Sequence, residues 1–257
     1  MDSSLIINEA IRMLWWLIPV LILIGFLKSP WFKGIVGETL VKIVAKFRLP
    51  AETYYQVHNV TLPTPDGTTQ IDHIFVSRFG IFVVETKNMK GWIFGSEKQA
   101  QWTQKVYRKS FRFQNPLRQN YKHAKALEAA LDVPSDAIHS VVVFTGNSTF
   151  KSKMPANVTI GGGYVNYIKS FREAVLSEAQ VQDALEQIQT GRLAPSRETH
   201  RQHVAQLKAR SGPSAERKCP KCGSSMVLRT AKRGESAGKQ FWGCSAYPQC
   251  RVMQNVI

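Results

Sequence analysis

The chain has 257 residues, 44% of them hydrophobic, and carries 34 lysines and arginines against 18 aspartates and glutamates, a net charge of +16. That length holds one large domain, or one medium domain with small appendages, and a surface this basic attracts polyanions, either nucleic acid or anionic lipid. All four cysteines fall between positions 219 and 250, which excludes a disulfide framework spread through the fold and points instead to a metal site in a reducing compartment.

The charge is uneven. Residues 192–257 contain 13 basic and three acidic side chains, so +10 of the total sits in the last quarter and +6 in the rest. The tail is a separate electrostatic object from the body.

The first predicted element is apolar. Met13 to Leu27 carries no charge, and the apolar stretch reaches back to Leu5 if Asn8, Glu9 and Arg12 lie near one end. A spanning helix needs about 20 residues, with a range of about 17–25; Trp15 and Trp16 suit one interface. No small-residue cleavage site follows Leu27, which argues against a signal peptide; a buried core helix is the other competing reading. Lys28, Lys33, Lys42, Lys46 and Arg48 come next. By the positive-inside rule, residues 5–27 are expected to anchor the chain in one pass of a bacterial inner membrane, with the C-terminal body in the cytoplasm.

Residues 34–191 read as the body. Gly34–Phe47 has helical apolar spacing, with Glu38 among the apolar positions. Tyr54–Val60 alternates as a strand, and Pro63, Pro65, Asp66 and Gly67 make a turn. Ile71–Ser77 and Gly80–Glu85 read as two strands around a short loop, Arg78–Phe79. Trp92–Phe94 and the neighbourhood of Trp102 read as further short strands. Asn115 caps a helix with Pro116 at its first position, running to about Leu131. Leu117, Tyr121, Ala124, Leu127 and Leu131 are its expected buried stripe. Val141–Thr145 is a short buried strand. Gly161-Gly162-Gly163 lacks a following Lys-Ser/Thr and reads as a turn, not a phosphate loop. Ser177 and Gln180 form a capping-box pattern opening a last helix to about Thr190. This order predicts an α/β domain with a mixed sheet.

The chemistry concentrates in one predicted hairpin. Glu85 and Lys87 are two apart, so they share a strand face. If Arg78–Phe79 is a two-residue loop, Ser77 pairs with Gly80 and Asp72 falls opposite Glu85 on that same face. Ile81–Val84 is uniformly apolar, as in a strand buried on both sides, and charges at its end need a reason. Two carboxylates can hold Mg²⁺ or Mn²⁺ with help from a backbone carbonyl. The metal would polarise a phosphodiester and acidify a bound water, and the lysine would orient that water or stabilise the developing charge. A structural ion-pair cluster is the competing reading. His73 reads as a hydrogen-bonded hairpin residue, and Gln119, Lys122 and His123 share one helix face, which a plain solvent face also explains.

Asp…Glu-x-Lys is the pattern of the PD-(D/E)xK nuclease superfamily. Gly37-Glu38, Ile71-Asp72-His73, Glu85-Thr86-Lys87-Asn88, Gly91-Trp92-Ile93, and Asn115-Pro116 followed by Gln119 and His123 together resemble the NERD (nuclease-related) domain, over roughly residues 34–150. The resemblance implies a restriction-endonuclease-like core. It implies Glu38 as a helix carboxylate, Asp72 and Glu85 as metal ligands, Lys87 as the catalytic lysine and Gln119 as an accessory on the following helix. Ile71 stands where the wider superfamily has a proline before the aspartate.

Residues 192–217 read as a basic linker with one helix, Ser196–Arg210. The segment 218–257 reads as a zinc ribbon. Cys219-Pro220-Lys221-Cys222 makes a knuckle, and Cys244 and Cys250 close a tetrahedral Zn²⁺ site with no open position, hence a structural one. With Gly223 to Leu228 and Phe241-Trp242-Gly243-Cys244-Ser245-Ala246-Tyr247-Pro248, these cysteines resemble the C-terminal ribbon of bacterial type I topoisomerases, which implies binding to DNA, chiefly single-stranded. Lys221, Arg229, Lys232, Arg233, Lys239 and Arg251 can neutralise phosphates. Phe241, Trp242 and Tyr247 can offer stacking faces, unless they form the ribbon's own core.

The reading is thus a membrane-tethered, metal-dependent nuclease whose ribbon captures DNA. A non-catalytic DNA-binding or anchoring protein on the same fold is the alternative, and either has an RNA-directed version.

Overall fold

The computed structural model describes residues 3–65, 67–194, 201, 205, 219, 221–231, 238 and 240–255. The linker helix expected at 196–210 and the basic positions Lys232, Arg233 and Lys239 lie outside the described residues. The chain divides into two compact units, Met1–Pro63 with Thr69–Arg192, and Thr64–Thr68 with Leu193–Ile257.

The sequence opens on two helices, α1 (Ser3–Lys28) and α2 (Pro30–Arg48). Ser29 separates them because its hydroxyl accepts from the Phe32 backbone N–H and Pro30 follows it; this is the expected chemistry of a helix start. The helices meet at a 56° bend. Among the described residues no single helix is long and apolar enough to cross a membrane, although Leu17–Lys28 and Pro30–Arg48 together are.

The core of the body is a five-stranded sheet in the order β1 (Tyr55–Thr64), β2 (Gly67–Ser77), β3 (Gly80–Asn88), β7 (Ile138–Thr145), β9 (Val158–Ile160). The β2–β3 pair is antiparallel, whereas β3–β7 and β7–β9 are parallel, giving the expected mixed sheet. Arg78 and Phe79 form the loop, and Ser77 pairs with Gly80 as the spacing required. Ile81, Phe82, Val83 and Val84 are all fully buried, covered on both faces. On one face, α3 (Pro116–Glu128) and α5 (Glu178–Gly191) bring Leu127, Val181, Ala184 and Ile188 against Ile74, Val76, Ile81 and Val83. On the other, α2 and α4 (Gly163–Ser170) bring Val41, Ala45, Tyr164, Val165 and Ile168 against Phe75, Phe82, Val84 and Val143. The capping box of α5 is present in full, Ser177 and Gln180 each bonding the other's backbone N–H.

A second sheet runs β6 (Lys109–Gln114), β5 (Gln101–Val106), β4 (Gly91–Phe94), β8 (Ser148–Phe150). It encloses its own small core around Ile93, Trp102 and Phe144. Gly95 lies so close to the Trp102 indole that a Cβ there would meet the ring carbon Cδ2 within 2.3 Å. The Trp102 Nε1–H donates to Ser96 O at 2.9 Å.

Two expectations change. The stripe of α3 is broader than expected: Leu127 and Leu131 are buried and Leu117 and Ala124 pack half-buried against the core, but Pro116, Asn120 and His123 also turn inward, while Tyr121 is 60% exposed. Asn120 goes inward because its amide donates to Val83 O, Val141 O and Ser140 Oγ at 2.8–2.9 Å, a pairing that makes a buried polar residue acceptable. The three glycines at 161–163 do more than turn the chain. Gly163 begins α4, whose inward residues Tyr164, Val165 and Ile168 follow too closely on a breaker signal to read as a helix.

The C-terminal unit contains a three-stranded antiparallel sheet, β10 (Met226–Thr230), β11 (Gln240–Cys244) and β12 (Met253–Asn255). Its core is Cys219, Met226, Trp242, Cys244 and Cys250.

Candidate functional site

The ladder between β2 and β3 carries backbone pairing as far as His73 opposite Val84. One residue further, the Asp72 carboxylate takes over from the backbone and accepts from the Thr86 N–H at 2.8 Å. This fixes Asp72 beside Glu85, where the hairpin register put it. Glu85 is 3% exposed. The Lys87 ammonium donates to Glu85 Oε1 at 2.6 Å and to Gln119 Oε1 at 2.8 Å, joining the hairpin to α3. One turn further along α3, His123 Nε2 lies 3.3 Å from Glu85 Oε2, within ion-pair range although not aligned as a hydrogen bond. Its Nδ1 meets the Thr69 hydroxyl at 2.7 Å.

Glu38 arrives from the opposite layer. Gly37 allows this: a Cβ at that position would lie 2.7 Å from Thr145 Oγ1 and 2.8 Å from Asn88 Cβ. Only a residue with no side chain lets α2 approach the ends of β3 and β7 so closely, and that approach sets the half-buried Glu38 near Glu85 and Asp72.

The electrostatics follow from crowding. Burial, then the charge of Glu85, holds the Asp72 carboxyl well above the ordinary carboxylate value, with Glu38 adding to the effect; the Thr86 N–H and Lys87 oppose it. Burial likewise raises Glu38, against Lys42 and with Glu85. Glu85 goes the other way. Burial opposes its charge, but the His123 ring and the Lys87 ammonium outweigh burial and draw its pKa down. Like charges crowded in a buried site disfavour joint ionisation unless a cation joins them. The donors are hard carboxylate oxygens, the set that suits Mg²⁺ or Mn²⁺ rather than a soft metal.

Asp72, Glu85, Lys87 and Gln119 are thus brought to one place, with Glu38 alongside. Among the described residues, however, only the four cysteines form a group of three or more His, Cys, Asp or Glu side chains whose ligand atoms all lie within 4.8 Å of one another. The carboxylates do not form so tight a cage. His123 and Thr69 join the site beyond the residues expected from the sequence. The helical spacing of Gln119 and His123 was the signal for the first, whereas nothing local marks Thr69.

The four thiols of Cys219, Cys222, Cys244 and Cys250 meet in the ribbon. Sγ–Sγ separations are 3.6 Å for Cys219–Cys250 and 3.4 Å for Cys222–Cys244. Hydrogen bonds from Ser224 draw the Cys222 thiol down to about 6, while burial pushes Cys244 up to about 12. Four sulfurs at this spacing suit Zn²⁺, which would hold all of them as thiolates. Around the site, Trp242 is 3% exposed and packs in the ribbon core, so the stacking face expected of it is not offered. A ribbon this small has few other residues with which to build a core. Tyr247 is 58% exposed, and the Arg229 guanidinium sits 5.8 Å from its ring centre. Lys221, Arg229 and Arg251 are exposed.

Comparison with known proteins agrees with this division. Residues 33–145 match the family described as nuclease-related domain. Residues 216–256 match the topoisomerase DNA-binding C4 zinc finger. An uncharacterized protein of Bacillus anthracis is 43% identical over 161 residues, covering 62% of this chain and 74% of that protein. No solved structure matches.

Proposed function

We propose that this chain, which belongs to the nuclease-related domain family and carries a topoisomerase-type zinc ribbon, is a membrane-associated, metal-dependent deoxyribonuclease. The observation that carries the reading is the buried meeting of Asp72 and Glu85 beside Lys87 at the end of β3. Asp72 and Glu85 would hold Mg²⁺ or Mn²⁺, with a backbone carbonyl completing the donor set. When bound, that ion supplies Lewis-acid polarisation of the phosphate and a more acidic water. The chain's own groups divide the remaining work. Thr86 N–H fixes the Asp72 carboxylate. His123 and Lys87 hold Glu85 from its two oxygens. Gln119 orients Lys87, whose ammonium can stabilise charge developing on the phosphate oxygens or orient the attacking water. Glu38 adds negative charge that favours a cation in the site.

The ribbon is the DNA-capturing appendage, held by structural Zn²⁺, with single-stranded DNA as the expected form. Lys221, Arg229 and Arg251 meet phosphates, and Tyr247 is the available stacking face.

Membrane association has two supports. The described side chains of α1 from Leu17 to Leu27 are exposed and mostly apolar. In α2, Val36, Leu40, Ile43 and Phe47 form an exposed apolar stripe at helical spacing, on a different side from the buried Gly37, Val41 and Ala45. Such a stripe suits the headgroup boundary. Orientation by the positive-inside rule leaves the body in the cytoplasm. If fractionation left the full chain soluble, and deleting residues 1–28 changed nothing, this part of the proposal would be wrong.

A non-catalytic anchoring protein would keep the ribbon and the apolar helices, but it would have no use for crowded, buried carboxylates. The deciding experiment is cleavage of single- and double-stranded DNA by the zinc-loaded full chain in Mg²⁺ or Mn²⁺, beside Asp72→Ala and Lys87→Ala. Metal-dependent cutting lost in both variants, with folding and DNA binding kept, supports the nuclease. Binding without cutting in either metal supports the anchor.

A further inference from the structure

The second sheet carries a surface that neither the carboxylate site nor the ribbon explains. Trp92 on β4 lies directly opposite Lys105 on β5 and beside Thr149 on β8, so the three share one face. The Trp92 indole is 48% exposed. Two ammonium groups approach it, Lys151 at 4.8 Å and Lys105 at 5.9 Å from the ring centre. Neither lysine makes an ion pair among the described residues. Each contact between an ammonium and a ring is weakly favourable, yet bringing two like charges to one indole is not a stabilising arrangement by itself. The pair is suited to an anion shared between them.

Trp92, Lys105 and Thr149 line a cleft of about 530 Å³ together with Lys90, Val106, Tyr107 and Asn147, and Lys151 reaches the ring of Trp92. Tyr107 is the least expected of them. It occupies the loop between β5 and β6 with φ +53, a left-handed conformation that favours glycine or asparagine. Its ring is 93% exposed, so the conformational cost brings no packing in return. Between Met89 and Gln114 the chain has six basic residues and one acidic one. The cleft therefore combines a positive rim with two exposed aromatic faces.

The geometry points to this cleft as the binding site for a single-stranded stretch of the DNA substrate, with phosphates between Lys105 and Lys151 and bases stacked on Trp92 and Tyr107. The assignment rests on the nuclease reading for its substrate. Aromatic faces flanked by cations suit unpaired bases, because every base has a face to stack and the contact requires no sequence. Duplex DNA keeps its base faces covered. The location is also apt. Lys90, at the cleft, follows Lys87 by three residues, so at most about 11 Å of extended chain separates it from the proposed cleavage site.

The test uses the zinc-loaded full chain, a fluorescein-labelled single-stranded oligonucleotide and no added Mg²⁺ or Mn²⁺. It is run on the otherwise native protein and on a Cys250→Ser background that removes the ribbon's contribution. Trp92→Ala is expected to weaken binding about 5- to 150-fold, the loss of one stacked base, with Trp92→Phe restoring most of it. The double variant Lys105→Ala/Lys151→Ala is expected to flatten the salt dependence by about 1.4 in log–log slope, two phosphate contacts' worth for a single strand. Photocrosslinking of a bromodeoxyuridine oligonucleotide should map to Trp92 or Tyr107. Unchanged affinity and slope in folded variants, or crosslinks confined to residues 219–255, would overturn the assignment. So would loss of binding to phosphatidylglycerol vesicles with oligonucleotide affinity intact, which would make the cleft a lipid contact. The readouts need no cleavage. A protein that never cuts but shows these losses removes the nuclease reading and keeps the cleft; one that cuts with unaltered binding does the reverse.

Discussion

The zinc ribbon and the carboxylate hairpin, the proposed second metal site, are built in opposite ways. In the ribbon, four cysteines of one segment meet with little else to hold them, so the ion is part of the fold. In the hairpin, strands buried over residues 74–77 and 80–85 already fix Asp72 and Glu85, and α2 and α3 bring Glu38, Gln119 and His123 from two layers. A metal in the ribbon makes the structure, whereas a metal in the body would use a structure that stands without it. The sharpest way to break this contrast is to remove zinc. Chelation, or Cys250→Ser, is expected to unfold the ribbon outright, since structural zinc contributes roughly 10–16 kcal/mol in small modules. The melting transition of the body should stay in place, and two-transition calorimetry or amide spectra would show whether it does.

The next largest effect belongs to the hairpin. Lys87→Ala should lower cleavage by about 10²–10³-fold, the usual cost of one lost donor to a developing oxyanion, with the folded state retained. Gln119→Ala, which acts through Lys87, should cost less. Single-turnover rates with each variant at saturating Mg²⁺ would rank them, and a Gln119 effect larger than that of Lys87 would contradict the assigned roles.

The same contrast explains what the sequence could disclose. The cysteine spacing is local, so all four zinc ligands were legible. The hairpin register was legible too, because a two-residue loop at Arg78–Phe79 pairs Ser77 with Gly80 and that pair sets all the others. Glu38 and Gln119 were reached through resemblance, not through spacing. Thr69 and the inward turn of Asn120 were not legible at all, because both depend on atoms distant in the chain: the His123 ring for one, and the Val83 and Val141 carbonyls for the other. Trp242 shows the converse error, since an aromatic next to a zinc ligand reads equally well as a platform or as core.

Smaller effects test the supports of the body. Asn120→Leu removes the side-chain hydrogen bonds that tie α3 to β3 and β7, at about 1–3 kcal/mol, and Gly37→Ala forces α2 away from Thr145 and Asn88, at about 1–3 kcal/mol. Urea midpoints should fall for both, and Gly37→Ala should also impair metal binding because it displaces Glu38. A pH-dependent effect belongs to the His58–His73 pair, whose Nδ1 atoms lie 3.0 Å apart. Burial holds His58 down to about 4 and His73 down to about 3. Both are below the unfolded value of about 6.5, so the unfolded chain binds more protons in acid. Their contribution is present above about pH 6.5 and is lost as pH falls toward 4 and 3. The melting temperature should therefore drop by a few degrees from pH 7 to pH 5, and His58→Gln should reduce that drop.

The most direct test of two independent metal centres is Mn²⁺ titration of the zinc-loaded full chain, followed by electron paramagnetic resonance. The native protein and Cys250→Ser should each bind Mn²⁺ at the body site, and Asp72→Asn should lose it. Equal binding in Asp72→Asn, or none in the native protein, would contradict the assignment of Asp72 and Glu85 as the ligands.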